Sequence, residues 1–158
     1  MQIKLALVLM FISSFTYGET GYVYEGDLNG DGIQDKITSG PSGQFGNAGG
    51  PFMISLSQKD GTLKNKSLGF HPMAIALEKT SSGNYLWGYW RYSSRGGDLF
   101  HITLDGHFIK TKINIRAGSN SELGTSIYNT IFGENSKYII KLKKIDNYTP
   151  LDYPWGKG

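Results

Sequence analysis

The chain has 158 residues, no cysteine, 13% aromatic residues and a formal net charge of +3. So small a charge gives no reason to expect nucleic acid as a partner, and without cysteine neither a disulfide framework nor a thiolate metal site is available. The length suits one domain with a substantial hydrophobic core, short of what two domains need.

Met1-Gln2-Ile3-Lys4 opens the chain with one basic residue. An apolar run follows from Leu5 to Ile12, and small residues stand at Thr16 and Gly18 ahead of the first acidic residue, Glu19. This is the order of a secretory signal peptide, and the run is too short to cross a bilayer. Cleavage after Gly18 is expected. It would leave a single domain over residues 19–158, with a net charge of +2 once Lys4 is gone. Export to the periplasm or the medium is expected, with no membrane span.

Tyr22-Val23-Tyr24-Glu25 and Lys36-Ile37-Thr38 are rich in aromatic and β-branched residues, as strands are. Between them runs Asp27-Leu28-Asn29-Gly30-Asp31-Gly32-Ile33-Gln34-Asp35. Side-chain oxygens of Asp27, Asn29, Asp31 and Asp35, with the Ile33 carbonyl, are spaced to converge on one calcium ion, and Gly32 permits the sharp turn this needs. An EF-hand would place a bidentate Glu at the twelfth position from Asp27, where Thr38 stands, so that reading fails. Over Gly26 to Ile37 the sequence resembles the FG-GAP and VCBS repeat families. Those families carry an Asp-x-Asn-Gly-Asp-Gly-x-x-Asp calcium loop followed by a short apolar strand, usually in several copies forming a β-propeller. The resemblance implies calcium at 27–35 and a β fold.

Gly40 to Pro51 is glycine-rich and reads as a loop. Phe52 to Ser57 alternates apolar and small polar residues, turns at Lys59-Asp60-Gly61 and returns through Thr62 to Leu68, a hairpin. Met73 to Leu77 and Tyr85 to Tyr92 are strand-like around Ser81-Ser82-Gly83-Asn84. Phe100 to Leu104, a turn at Asp105-Gly106 and a return from His107 to Ile115 make a second hairpin, sharing Phe-x-Ile-x-Leu with the first. Leu123, Ile127 and Ile131 have helical spacing, but Gly124 and the β-branched residues oppose it, so this segment stays open between helix and strand. Tyr138 to Ile145 alternates lysines with apolar residues and predicts one last strand with a basic solvent face; Tyr148 to Gly158 predicts an irregular tail. The sum is an all-β antiparallel domain of eight to ten strands with at most one short helix, built as a compact sandwich or as propeller-blade-like hairpin units.

Trp87, Tyr89 and Arg91 share one face of a predicted strand, and Trp90 and Tyr92 the other. Trp87, Tyr89, Arg91 and the nearby Arg95 combine aromatic rings with guanidinium groups, a composition suited to a protein or sugar contact. His71, His101 and His107 show no zinc spacing and no evident link to a nucleophile. The expectation is therefore an exported, calcium-binding, non-enzymatic domain that binds a protein or glycan of the cell envelope. Alternatives are a periplasmic inhibitor or immunity protein against a toxin or lytic enzyme, and a small hydrolase of envelope polymers.

Overall fold

The computed structural model describes residues 19–93, 96–116 and 122–148; the signal segment, Arg95 and the tail beyond Tyr148 lie outside them. Among the described residues the chain forms β1 (Gly21–Gly26), β2 (Asp35–Ser39), β3 (Gly50–Ser57), β4 (Leu63–Phe70), β5 (Ile75–Thr80), β6 (Gly83–Ser93), β7 (Gly96–Thr103), β8 (Lys110–Arg116), α1 (Glu122–Phe132) and β9 (Lys143–Ile145). Two antiparallel sheets result, one ordered β4-β3-β2-β1-β9 and the other β5-β6-β7-β8.

The shared Phe-x-Ile-x-Leu pattern has a simple physical role. Phe52, Ile54 and Leu56 line the inner face of one sheet, and Phe100, Ile102 and Leu104 face them from the other, in one cluster with Leu28, Ile37, Phe70, Ile75 and Leu86. Period-two alternation makes each strand contribute every second side chain to this core. Phe52 and Phe70 are fully buried, each worth about 2–3 kcal/mol of transfer free energy. The all-β expectation is met by two facing sheets and one helix.

The helix lies on the outer face of the four-stranded sheet, where Ile127, Ile131 and Phe132 pack with Ala76, Trp87, Leu99, Ile113 and Ile115. Gly124, which weakens the helix as a propensity, permits its approach: a Cβ there would lie 3.2 Å from Ile115 Cγ1. Leu123, expected on the apolar stripe, is 72% exposed.

Two boundaries differ from expectation. The strand expected over Tyr138 to Ile145 is broken: Ile139 bridges Ala76 of one sheet, while β9 pairs with β1 of the other. The segment thus crosses between the sheets and closes one side of the sandwich. The return strand of the second hairpin starts at Lys110 rather than His107, because Phe108 adopts a φ of 52° and turns its ring into the core.

Candidate metal loop and aromatic face

The Asp27–Asp35 loop joins β1 to β2, as the flanking strand pattern predicts. Its two bends fall at Gly30 and Gly32, with φ of 85° and 83°, a region that side-chain-bearing residues rarely enter. The loop's amides turn inward onto its own oxygens. Gly30 and Gly32 N–H donate to Asp27 Oδ1 and Oδ2 at 2.6 and 3.0 Å. Asp31 N–H donates to Asn29 Oδ1 at 3.1 Å, and Ile33 N–H to Asp31 Oδ1 at 2.8 Å. The Asn29 amide also donates to Asp31 Oδ2 at 3.0 Å.

Asp35 stands apart from the other donors. It is 1% exposed, its Oδ2 accepts the Leu28 and Asn29 amides at 2.9 and 3.3 Å, and its Oδ1 accepts Ser57 N–H at 2.8 Å. It ties the base of the loop to β3. Among the described residues no three His, Cys, Asp or Glu side chains are grouped as a metal site. The oxygens that remain near the surface are those of Asp27, Asn29 and Asp31, with the Ile33 carbonyl. This is a donor set of two carboxylates, one amide and one carbonyl, of the hard-oxygen kind that calcium takes. A carboxylate oxygen has two acceptor sites, so an amide bond and a metal bond are compatible on the same atom.

The loop also reaches the second sheet. Asn84 Nδ2, at the start of β6, donates to the Leu28 carbonyl at 2.9 Å, and a Cβ on Gly30 would meet that same amide at 3.2 Å.

Farther along β6 the three described residues expected at a contact surface differ in exposure. Trp87 is buried at 9% exposure, within the cluster beneath α1; its Nε1–H donates to Glu78 Oε2 at 2.8 Å. Tyr89 is half-buried and meets Tyr128 of α1 edge-on, with centroids 5.0 Å apart. Desolvation, and then the neighbouring Tyr128 hydroxyl, push the Tyr89 phenol above its ordinary pKa. Arg91 is exposed and its Nε–H donates to the Ser93 carbonyl at 3.0 Å. Arg95 lies outside the described residues. Sequence placed Trp87, Tyr89 and Arg91 correctly on one face, but it had no means of showing that α1 covers part of that face.

A cluster not foreseen surrounds Trp87. His101, on the adjacent strand, packs between Tyr85 and Trp87 with centroid distances of 4.5 and 4.3 Å. Its Nε2 lies 3.9 Å from Glu78 Oε2. Burial lowers the His101 pKa, and the Glu78 carboxylate opposes that effect. The signal was present in the hairpin: the turn at Ser81–Asn84 places Glu78 opposite Tyr85, hence on the same face as Trp87. No protein-family model, curated protein or solved structure matches the chain.

Proposed function

We propose that this chain is an exported, calcium-binding, non-enzymatic β-sandwich that recognises a protein or glycan of the cell envelope, in the periplasm or outside the cell. The observation that carries the reading is the Asn84–Leu28 hydrogen bond of 2.9 Å, because it joins the oxygen-rich loop to the strand that bears Tyr89 and Arg91. A cation held by Asp27, Asn29, Asp31 and the Ile33 carbonyl stiffens the turn, and through Asn84 it fixes the start of β6. Trp87 supports this face from beneath, while Tyr89 and Arg91 offer an amphipathic ring and a guanidinium. Two carboxylates are few for calcium, which suits a dissociation constant of roughly 0.1–1 mM, as in extracellular modules.

The test is retention of the mature protein on envelope glycan and envelope protein fractions, with calcium and with chelator. Retention that needs calcium and falls in Arg91→Ala and Tyr89→Ala supports the reading. Equal retention by wild type and both variants contradicts it.

One observation favours a second reading, a small hydrolase of envelope polymers: the approach of Glu78 to His101. Loss of hydrolysis of envelope polymers in both Glu78→Gln and His101→Asn would support it, and no turnover by the wild type would remove it.

A further inference from the structure

Strands β4 and β8 are the edges of their sheets, and both turn lysines toward the interior. Along β4, Lys64, Lys66 and Leu68 stand opposite Leu56, Ile54 and Phe52, all three core residues. Directly opposed residues share a face, so these lysines face inward. Along β8, Lys110 and Lys112 stand opposite Ile102 and Phe100, so they face inward from the other sheet. Lys64 crosses toward the β7–β8 turn, where a Cβ on Gly106 would lie 2.8 Å from its Nζ. The Lys110 ammonium sits over the Phe100 ring, 4.7 Å from its centroid.

Asp98, on this face, is already engaged, by Lys112 at 3.4 Å and by the Asn114 amide at 2.9 Å. Lys66 and Lys110 form no ion pair among the described residues. A cavity of about 550 Å³ opens at this mouth, with Gln44, Leu68, Trp90 and Lys110 in its wall. Trp90 is half-buried and lies over Gly69, where a Cβ would come within 2.7 Å of the indole.

Inward lysines on edge strands guard against edge-to-edge pairing. That role requires neither a cavity nor an indole and an amide in its wall. The volume lies within the range of small-ligand clefts, about 300–1,000 Å³, and is unlike the broad contact of a protein partner. An indole suits the C–H face of a sugar ring, the Gln44 amide suits hydroxyl groups, and unpaired ammonium groups suit carboxylates.

We infer that the mouth between β4 and β8 binds a carboxylated oligosaccharide, with Trp90 against a sugar ring and Lys110 on a carboxylate. The inference rests on the binding-module reading, gives the ligand class, and places that ligand away from Tyr89 and Arg91.

The test is calorimetric titration of the mature chain with trigalacturonate, with neutral maltotriose and a pentaglutamate peptide as comparators. Trigalacturonate should bind, bind more weakly as salt rises, and lose about tenfold or more in affinity in Lys110→Gln, while maltotriose binds about tenfold or more weakly than trigalacturonate. Lys110 stands on an edge strand with its side chain exposed, so Lys110→Gln should keep a melting midpoint close to that of the wild type. The inference is overturned by no trigalacturonate binding, by unchanged affinity in Lys110→Gln, or by an aggregating Lys110→Gln of unchanged affinity, which would leave edge protection as the lysine's role. Tighter binding of pentaglutamate also overturns it, in favour of an acidic protein segment. Because Arg91→Ala leaves this mouth intact, calcium-dependent capture that is lost in that variant would stand even if trigalacturonate failed to bind.

Discussion

Asp35 is a buried carboxylate whose loss should cost the fold heavily for its size. Its carboxylate is 1% exposed and accepts three backbone amides, from Leu28, Asn29 and Ser57. Asp35→Asn preserves the shape but leaves one acceptor oxygen in place of two, and it turns an NH2 group toward amide donors. A hydrogen bond to a charged group contributes about 1.5–3 kcal/mol, and a buried amide left without a partner costs about 1–3 kcal/mol. The Asn29 bond, at 3.3 Å, is weak and counts for little. Loss of one strong bond together with the donor–donor conflict gives a destabilisation of about 3 kcal/mol, a large share of the 5–15 kcal/mol typical of a domain. With a urea slope of about 2 kcal/mol/M, the midpoint falls by about 1.5 M. The measurement is urea unfolding of the mature protein in excess chelator, so that any metal contribution is absent from both proteins. A midpoint within about 0.3 M of wild type, less than 1 kcal/mol at that slope, would refute the assignment of Asp35 as the clamp between loop and β3. Asp31→Asn, whose side chain is exposed and bonded only within the loop, should shift the chelator midpoint far less.

Three further outcomes follow from the packing. Burial lowers the pKa of both His71 and His101 below the ordinary 6.5, so the folded state holds them neutral while the unfolded chain protonates near 6.5. Their contribution to stability is therefore complete above about pH 6.5 and is lost as pH falls below it; chemical unfolding between pH 5 and 8 should show this slope, flattened in His101→Gln and His71→Gln. Gly88→Ala should destabilise by about 1–3 kcal/mol or more, read as a lowered thermal midpoint, since its Cβ would lie 2.0 Å from Cδ1 of the fully buried Phe70 ring. Trp87→Phe keeps an aromatic ring under α1 but removes the indole donor to Glu78, a loss of about 1 kcal/mol in urea unfolding.

Much of the fold was legible because the core strands obey period two. Phe52, Ile54 and Leu56, and again Phe100, Ile102 and Leu104, announce an inner face without any knowledge of their partners, and the Asp-Gly and Gly-Asn turns mark the hairpins. The Asp27–Asp35 turn was legible for a similar reason, since glycines at two left-handed positions and alternating short oxygen-bearing side chains leave the backbone few other courses. What escaped was set by contacts distant in sequence. Asp35 looks like a fifth donor on a string of donors, and only the approach of Ser57, 22 residues away, reveals it as a clamp. Gly124 argues against a helix until Ile115 is seen beneath it. The local sequence of β4 and β8 does not say which way their lysines turn, and only the registers with Ile54 and Ile102 set them on the inner face. Trp87 looked available for binding because no local pattern records that α1 would lie across it.

Calcium uptake by the β1–β2 loop is most directly measured by thermal unfolding of the mature protein in excess calcium and in excess chelator, with Asp27→Ala alongside. At a calcium concentration about a hundredfold above the dissociation constant, binding to the folded state adds about 2.7 kcal/mol, which raises the wild-type midpoint by about 10 °C for a domain of this length, and leaves Asp27→Ala unmoved. Identical wild-type midpoints in calcium and chelator would contradict the account.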